Sequence, residues 1–265
     1  MRIAHGFDAE SAEAEFMYQY VAHAPAELDA SAVRLAGGVV VHVRNDPMGG
    51  YWTKALGFPQ VTAEVLDEII GFYRSRGART AVLQLSPHLL SASFIEMREQ
   101  RGITPDRRLV KLGGPIEEVK LDATTDLRIA PVEPEQAGLW GEAVMRAFGV
   151  PGTALSQMLA NSVANPAFHP FAAWDGETVV AGGNLLVHGE VGSLSTGATG
   201  PDHRGRGAQS ALIAARLRAA RELGCRWVIA ETGWPDPGTR NPSLENLRRA
   251  GLPVLYERTN WRWTE

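Results

Sequence analysis

A single cysteine, Cys225, stands in the whole chain, so no internal disulfide can form and nothing points to a secreted, cross-linked scaffold. A reducing compartment, and with it a cytoplasmic protein, is the expectation. Long hydrophobic runs are also missing. No stretch approaches about 18 uninterrupted apolar residues, and the opening MRIAHGFDAESAEAEF has no apolar core of signal-peptide length, so neither export nor membrane spanning is expected. Excess positive charge is absent too: 26 Lys and Arg face 30 Asp and Glu, a net −4, which disfavours a large nucleic-acid-binding face. Finally, His5, His23, His42, His88, His169, His188 and His203 show no ligand spacing with Cys225 or with carboxylates, so no metal is expected.

What remains is the composition of a folded chain, 45% hydrophobic and 21% charged. At about 150 residues per domain, 265 residues make one large domain or two small ones. Periodicity gives a helix over 11–20, a strand over 33–43, a loop with Asn45, Asp46 and Pro47, and an amphipathic helix from Thr62 to Arg76 closed by Gly77. A strand at 80–85, a helix at 94–100 and a strand at 108–112 complete the first half. Gly113, Gly114 and Pro115, with the polar run after them, read as a linker. We therefore divide the chain into 1–120 and 121–265.

The second half reads as a strand at 127–131, helices at 135–148 and 155–163, and strands at 171–174, 179–187 and 191–199. Turns of about two residues join the three strands into an antiparallel meander. A helix over 207–223, a strand at 226–231, a helix at 243–250 and a strand at 254–263 follow. The first half repeats part of this order, which suggests a duplication.

Between a strand and a long helix lies Gly200-Pro201-Asp202-His203-Arg204-Gly205-Arg206-Gly207-Ala208-Gln209-Ser210. Glycines let successive amides converge on one point, and the helix N-terminus adds partial positive charge, so an anion is the natural ligand. Arg204 and Arg206 add charge-assisted donors suited to a pyrophosphate. No Walker string is present. A dinucleotide fingerprint can be forced from Gly205, Gly207 and Ser210 with Glu231 beyond, but an antiparallel meander before the loop disfavours that parallel fold and its oxidoreductase chemistry.

Arg204, Gly207 and Gln209 occupy the positions of the pyrophosphate loop of the GNAT superfamily: Gln or Arg, two residues, Gly, one residue, then Gly or Ala. Gln209 departs from the small final residue. With the element order from Leu127 to Trp263, the second half resembles that superfamily, and the first half resembles a degenerate copy. The resemblance implies a GNAT-like fold of mixed α/β (α+β) class in tandem, two mixed-sheet halves of which only the second binds acetyl-CoA. It further implies a splayed strand end at Gly197, Ala198 and Thr199 for the pantetheine arm, a pyrophosphate loop from Arg204 to Ser210 (Gly205, Arg206, Gly207, Ala208 and Gln209 between them), and arm contacts from Asn241 and Asn246.

By the same resemblance the activity is N-acetyl transfer to a primary amine of a small molecule or peptide, by direct attack, in a monomer or homodimer. Glu231 is the first candidate for the base and Glu190 the second. The superfamily's usual acid, a Tyr, falls on Leu247, leaving Ser243, water or an inward-turned Tyr256 as donors. That gap keeps open a non-catalytic acyl-CoA-binding regulator or sequestering protein. Tyr51, Trp52 and the 45–50 loop are candidate lining of the acceptor side. Asp236, Glu190 and Glu231 favour a cationic acceptor.

Overall fold

The structure, a computed structural model, describes residues 9–265; His5 and the rest of the first eight residues lie outside the described part. In chain order the elements are α1 (Ala9–Ala22), β1 (Ala30–Leu35), β2 (Gly38–Val43), β3 (Lys54–Leu56), α2 (Ala63–Ser75), β4 (Thr80–Gln84), α3 (Phe94–Glu99), β5 (Ile103–Pro115) and β6 (Arg128–Pro131). They continue with α4 (Ala137–Ala147), α5 (Ala154–Asn161), β7 (Phe168–Asp175), β8 (Thr178–His188), β9 (Val191–Thr199), α6 (Ala208–Glu222), β10 (Trp227–Gly233), α7 (Pro242–Arg249) and β11 (Val254–Thr264). Two compact units form, the first from residues up to Val110 plus Tyr256–Glu265, the second from Lys111–Leu255. Set against a division at residue 120, residues 111–120 fall in the second unit and 256–265 in the first.

In the first unit the strands run β1-β2-β3-β4-β11. Thr62 caps α2 by accepting the Val65 amide, and the apolar stripe Val65, Leu66, Ile69, Ile70 and Tyr73 packs on Val40, Ala55, Ala81, Leu83 and Trp263. β3 and β4 pair in parallel across α2, and β4 pairs antiparallel with β11. From α1, Glu10 and Glu13 receive the Arg258 guanidinium at 2.6 and 3.0 Å, and the Tyr256 hydroxyl donates to Glu10. Burial and the Glu10 charge push the Tyr256 phenol far above its ordinary range. That hydroxyl is therefore engaged inside the first unit. Trp52 is buried there as well, edge-on to Tyr20 and Tyr51.

Two local expectations change. Residues 33–43 are not one strand but the hairpin β1–β2, because Ala36 and Gly37 both adopt positive φ (48° and 81°) in a two-residue turn. Gly113, Gly114 and Pro115 are not a linker: they end β5, where the Ile116 amide reaches the Arg226 carbonyl beside β10.

The second unit carries β10-β9-β8-β7-β6 in sheet order, with the end of β5 beside β10. Strands β7 to β9 form the expected antiparallel meander, β6 pairs antiparallel with β7, and β9 and β10 pair in parallel across α6. Successive residues of β8 show how the faces are covered. A side chain at Gly182 would meet Trp140 and Val144 of α4, and one at Gly183 would meet Arg216 of α6, so the two helices lie on opposite faces. Each unit thus contains a strand–helix–strand crossover with parallel pairing, β3-α2-β4 and β9-α6-β10. The mixed α/β, two-halved architecture expected from the sequence is present.

Candidate active site

Parallel pairing of β9 with β10 runs from Val191/Trp227 to Leu194/Ala230 and stops there. Beyond it both strands continue, β9 to Thr199 and β10 to Gly233, without pairing to each other. The cause lies on the other side of β9. Its register with β8 slips between Asn184↔Ser195 and Gly182↔Ala198, so β9 carries one extra residue, and Thr196 takes a positive φ of 57° to absorb it. Gly197, Ala198 and Thr199 sit at this divergence.

The loop after β9 enters α6 through Gly207, whose φ of +79° puts it in the left-handed region. A Cβ there would run into the Thr124 carbonyl, so glycine is required on both counts. Among the described residues no backbone carbonyl receives the amides of Gly205, Arg206 or Gly207, and α6 has no side-chain cap. The first-turn amides of Ala208, Gln209 and Ser210 have no partner within the helix either. A run of donors therefore surrounds the positive end of α6.

The two loop arginines differ. Arg204 is exposed, with its Nε 3.4 Å from the Thr199 carbonyl. Arg206 is bound by Asp126 and Asp175, touches His203 at 3.2 Å, and its carbonyl accepts the Thr125 hydroxyl at 2.7 Å. Its guanidinium holds both aspartates below the usual carboxylate range. Arg206 thus anchors the loop, and Arg204 is the arginine of the pair whose side chain stands out to solvent. Gln209 turns toward the sheet and donates to the Thr199 hydroxyl at 2.9 Å.

Asn241 caps α7: its side-chain oxygen accepts the Ser243 and Leu244 amides, and its nitrogen donates to the Thr232 hydroxyl and the Gly233 carbonyl. It ties α7 to the end of β10. Asn246 faces α6, with its side-chain oxygen 3.5 Å from the Ser210 hydroxyl and 2.8 Å from Arg249. Ser243 is exposed in the first turn of α7, and Leu247 is buried. Glu190 is not brought to the splay. It precedes β9, about 17 Å of extended chain before Ser195, and its exposed carboxylate lies 3.6 Å from Arg226.

Glu231 is the first residue past the last parallel pair, and its carboxylate lies 3.3 Å from the ammonium of Lys111, a side chain only 1% exposed. Lys111 lies opposite it on the end of β5, in line with the Ile116–Arg226 contact five residues along. Sequence reasoning passed over this lysine because its partner is 120 residues away. It also passed over Arg216, buried in the middle of α6, whose guanidinium donates to the carbonyls of Leu212, Asn184 and Ser195. The signal available was a charged residue on the sheet-facing side of an alanine-rich helix.

A groove of about 530 Å³ runs along α6, lined by Ile129, Pro131, Phe171, Ala211 and Ala215. None of the site residues expected from the sequence lines it, but Thr124 and Thr125, which touch the loop at Gly207 and Arg206, do. Among the described residues no cluster of three or more His, Cys, Asp or Glu side chains could hold a metal ion, and no helix is long and apolar enough to cross a membrane.

Residues 139–240, from α4 past the splay, match the model of the Acetyltransferase (GNAT) family. No curated protein matches the chain in sequence. Among solved structures the chain is similar to a GCN5-related N-acetyltransferase from Kribbella flavida, at 16% identity and TM-score 0.66 over 98% of this chain and 96% of that one. It is also similar to a GCN5-related N-acetyltransferase from Sphaerobacter thermophilus, at 16% identity and TM-score 0.63 over 89% and 76% of the two chains. A third is a tandem GNAT protein from the clavulanic acid biosynthesis pathway, at 10% identity and TM-score 0.60 over 96% and 94%. The fold is the GNAT fold in tandem, with a GNAT acetyltransferase match in the second unit, which supports acyl transfer as the class of chemistry.

Proposed function

We propose that the second unit transfers an acetyl group from acetyl-CoA to a primary amine of a small molecule or peptide, by direct attack with both substrates bound. One observation carries this reading: the parallel pair β9–β10 opens at a bulge directly beside a loop of undonated amides. An extended thiol arm fits between the strands, held by backbone groups of Gly197, Ala198 and Thr199, and its pyrophosphate fits the amides from Gly205 to Ser210 with Arg204. Asn241 and Asn246 support the site by fixing α7 against β10 and α6.

Attack on a thioester requires a neutral amine. In this reading Glu231 takes one proton from the ammonium, the amine nitrogen bonds to the carbonyl carbon, the carbon–sulfur bond breaks, and the thiolate collects a proton from a donor that the second nitrogen proton then replenishes. Leu247 offers none, so the donor is water or the exposed Ser243 hydroxyl. A covalent acyl-enzyme has no support: Cys225 is buried, and burial pushes its thiol up. A cationic amine as acceptor follows from the chain's net negative charge, and a cytoplasmic setting from its single cysteine.

The test is release of free thiol from acetyl-CoA with polyamines, amino acids, aminoglycosides and peptide amines. Turnover with one of them, reduced about 10² to 10⁴-fold by Glu231→Gln with unchanged binding of 3′,5′-ADP, is the expected result. A second reading, an acyl-CoA-binding regulator or sequestering protein, is favoured by the apolar Leu247. Tight acetyl-CoA binding with no thiol release from any amine would establish it.

A further inference from the structure

We infer that Arg216 is a positioning residue for the cofactor arm: together with Gln209 it tethers the bulge of β9 to α6 and so keeps the strand end splayed. The inference rests on the cofactor reading above. Arg216 is 2% exposed, in a helix whose other buried positions are all alanine, leucine or isoleucine. A guanidinium is an expensive occupant for such a place unless its donors are used. They are used at the point where the β8–β9 ladder fails. Nη1 donates to Asn184 O at 3.1 Å and Ser195 O at 3.0 Å, the two residues of the last regular pair before the register slips.

Gly183 makes the space, since a Cβ there would lie 2.6 Å from the guanidinium carbon. On the far side of the bulge Gln209 donates to the Thr199 hydroxyl at 2.9 Å, and its side-chain oxygen would lie 3.0 Å from a Cβ at Gly197. Residues 196–198 are thereby bracketed by two tethers from one helix. That helix also begins with the anion loop, so the arm site and the pyrophosphate site share one rigid reference. This accounts for a glutamine where the loop pattern asks for a small residue: its side chain serves the strand.

The experiment is calorimetric titration of wild type, Arg216→Met and Gln209→Ala with CoA and with 3′,5′-ADP, which has the nucleotide but no arm. We expect both variants to bind CoA about tenfold more weakly, the scale of one charged or bracketing hydrogen bond, and 3′,5′-ADP within about twofold of wild type. Wild-type CoA affinity in both variants overturns the tether, as does an equal loss for both ligands, which would mark a general role in folding. Should Arg216→Met fail to fold, Gln209→Ala decides by the same comparison. Wild type binding neither compound would instead overturn the cofactor reading.

Discussion

Two arginines two positions apart in one loop have different partners, and that difference is testable. Arg204→Ala removes an exposed donor, so it should weaken CoA binding about tenfold and leave the melting temperature unchanged. Arg206→Ala strips Asp126 and Asp175 of their shared cation and should lower the melting temperature. The reverse pattern in paired calorimetry and melting curves would exchange their roles. Because Arg206 holds both carboxylates below their ordinary range, the stability they confer is fully present above about pH 4. It is lost as pH falls through their lowered values. Melting curves between about pH 2 and 6 should therefore show an acid-side loss that Asp126→Asn with Asp175→Asn reduces; an unchanged acid limb would contradict the assignment. Cys225, buried with its thiol pushed up, should resist alkylation at neutral pH in the native protein and react rapidly in denaturant. Rapid native labelling would mean that this corner of the second unit opens.

At the scale of elements, α6 is set by its N-cap residue, Gly207. Gly207→Ala meets both a left-handed φ and the Thr124 carbonyl, so it should cost about 1–3 kcal/mol and displace the loop. Chemical denaturation alongside CoA titration checks this; unaltered values for both would remove the loop from the site. Most of these elements were legible because their signals are local: the α2 stripe with its Thr62 cap, the meander with its short turns, the glycine loop before α6. Failures arose where the signal is not local. The β1–β2 turn uses Ala36 and Gly37 rather than a usual turn pair, and residues 113–115 are a strand because β10 lies beside them. Lys111 and Arg216 escaped notice for the same reason, each being defined by partners that only the folded sheet brings near. Asn241 was readable as an arm contact or as a cap, and its side chain caps α7.

For the whole molecule, the two units share a parallel crossover but not the loop that makes one useful. In the first unit β3 leads to α2 through Phe58, Pro59 and a Thr62 cap whose side chain already takes the Val65 amide. The second unit leaves the corresponding helix uncapped behind left-handed glycines. On the proposed reading only the second unit offers an anion site, and this site holds acetyl-CoA. Calorimetric titration with acetyl-CoA tests it most directly. The prediction is saturable binding with one molecule per chain, abolished or strongly weakened by Gly207→Ala. Two molecules per chain, no binding at all, or full affinity in the Gly207→Ala variant would contradict it.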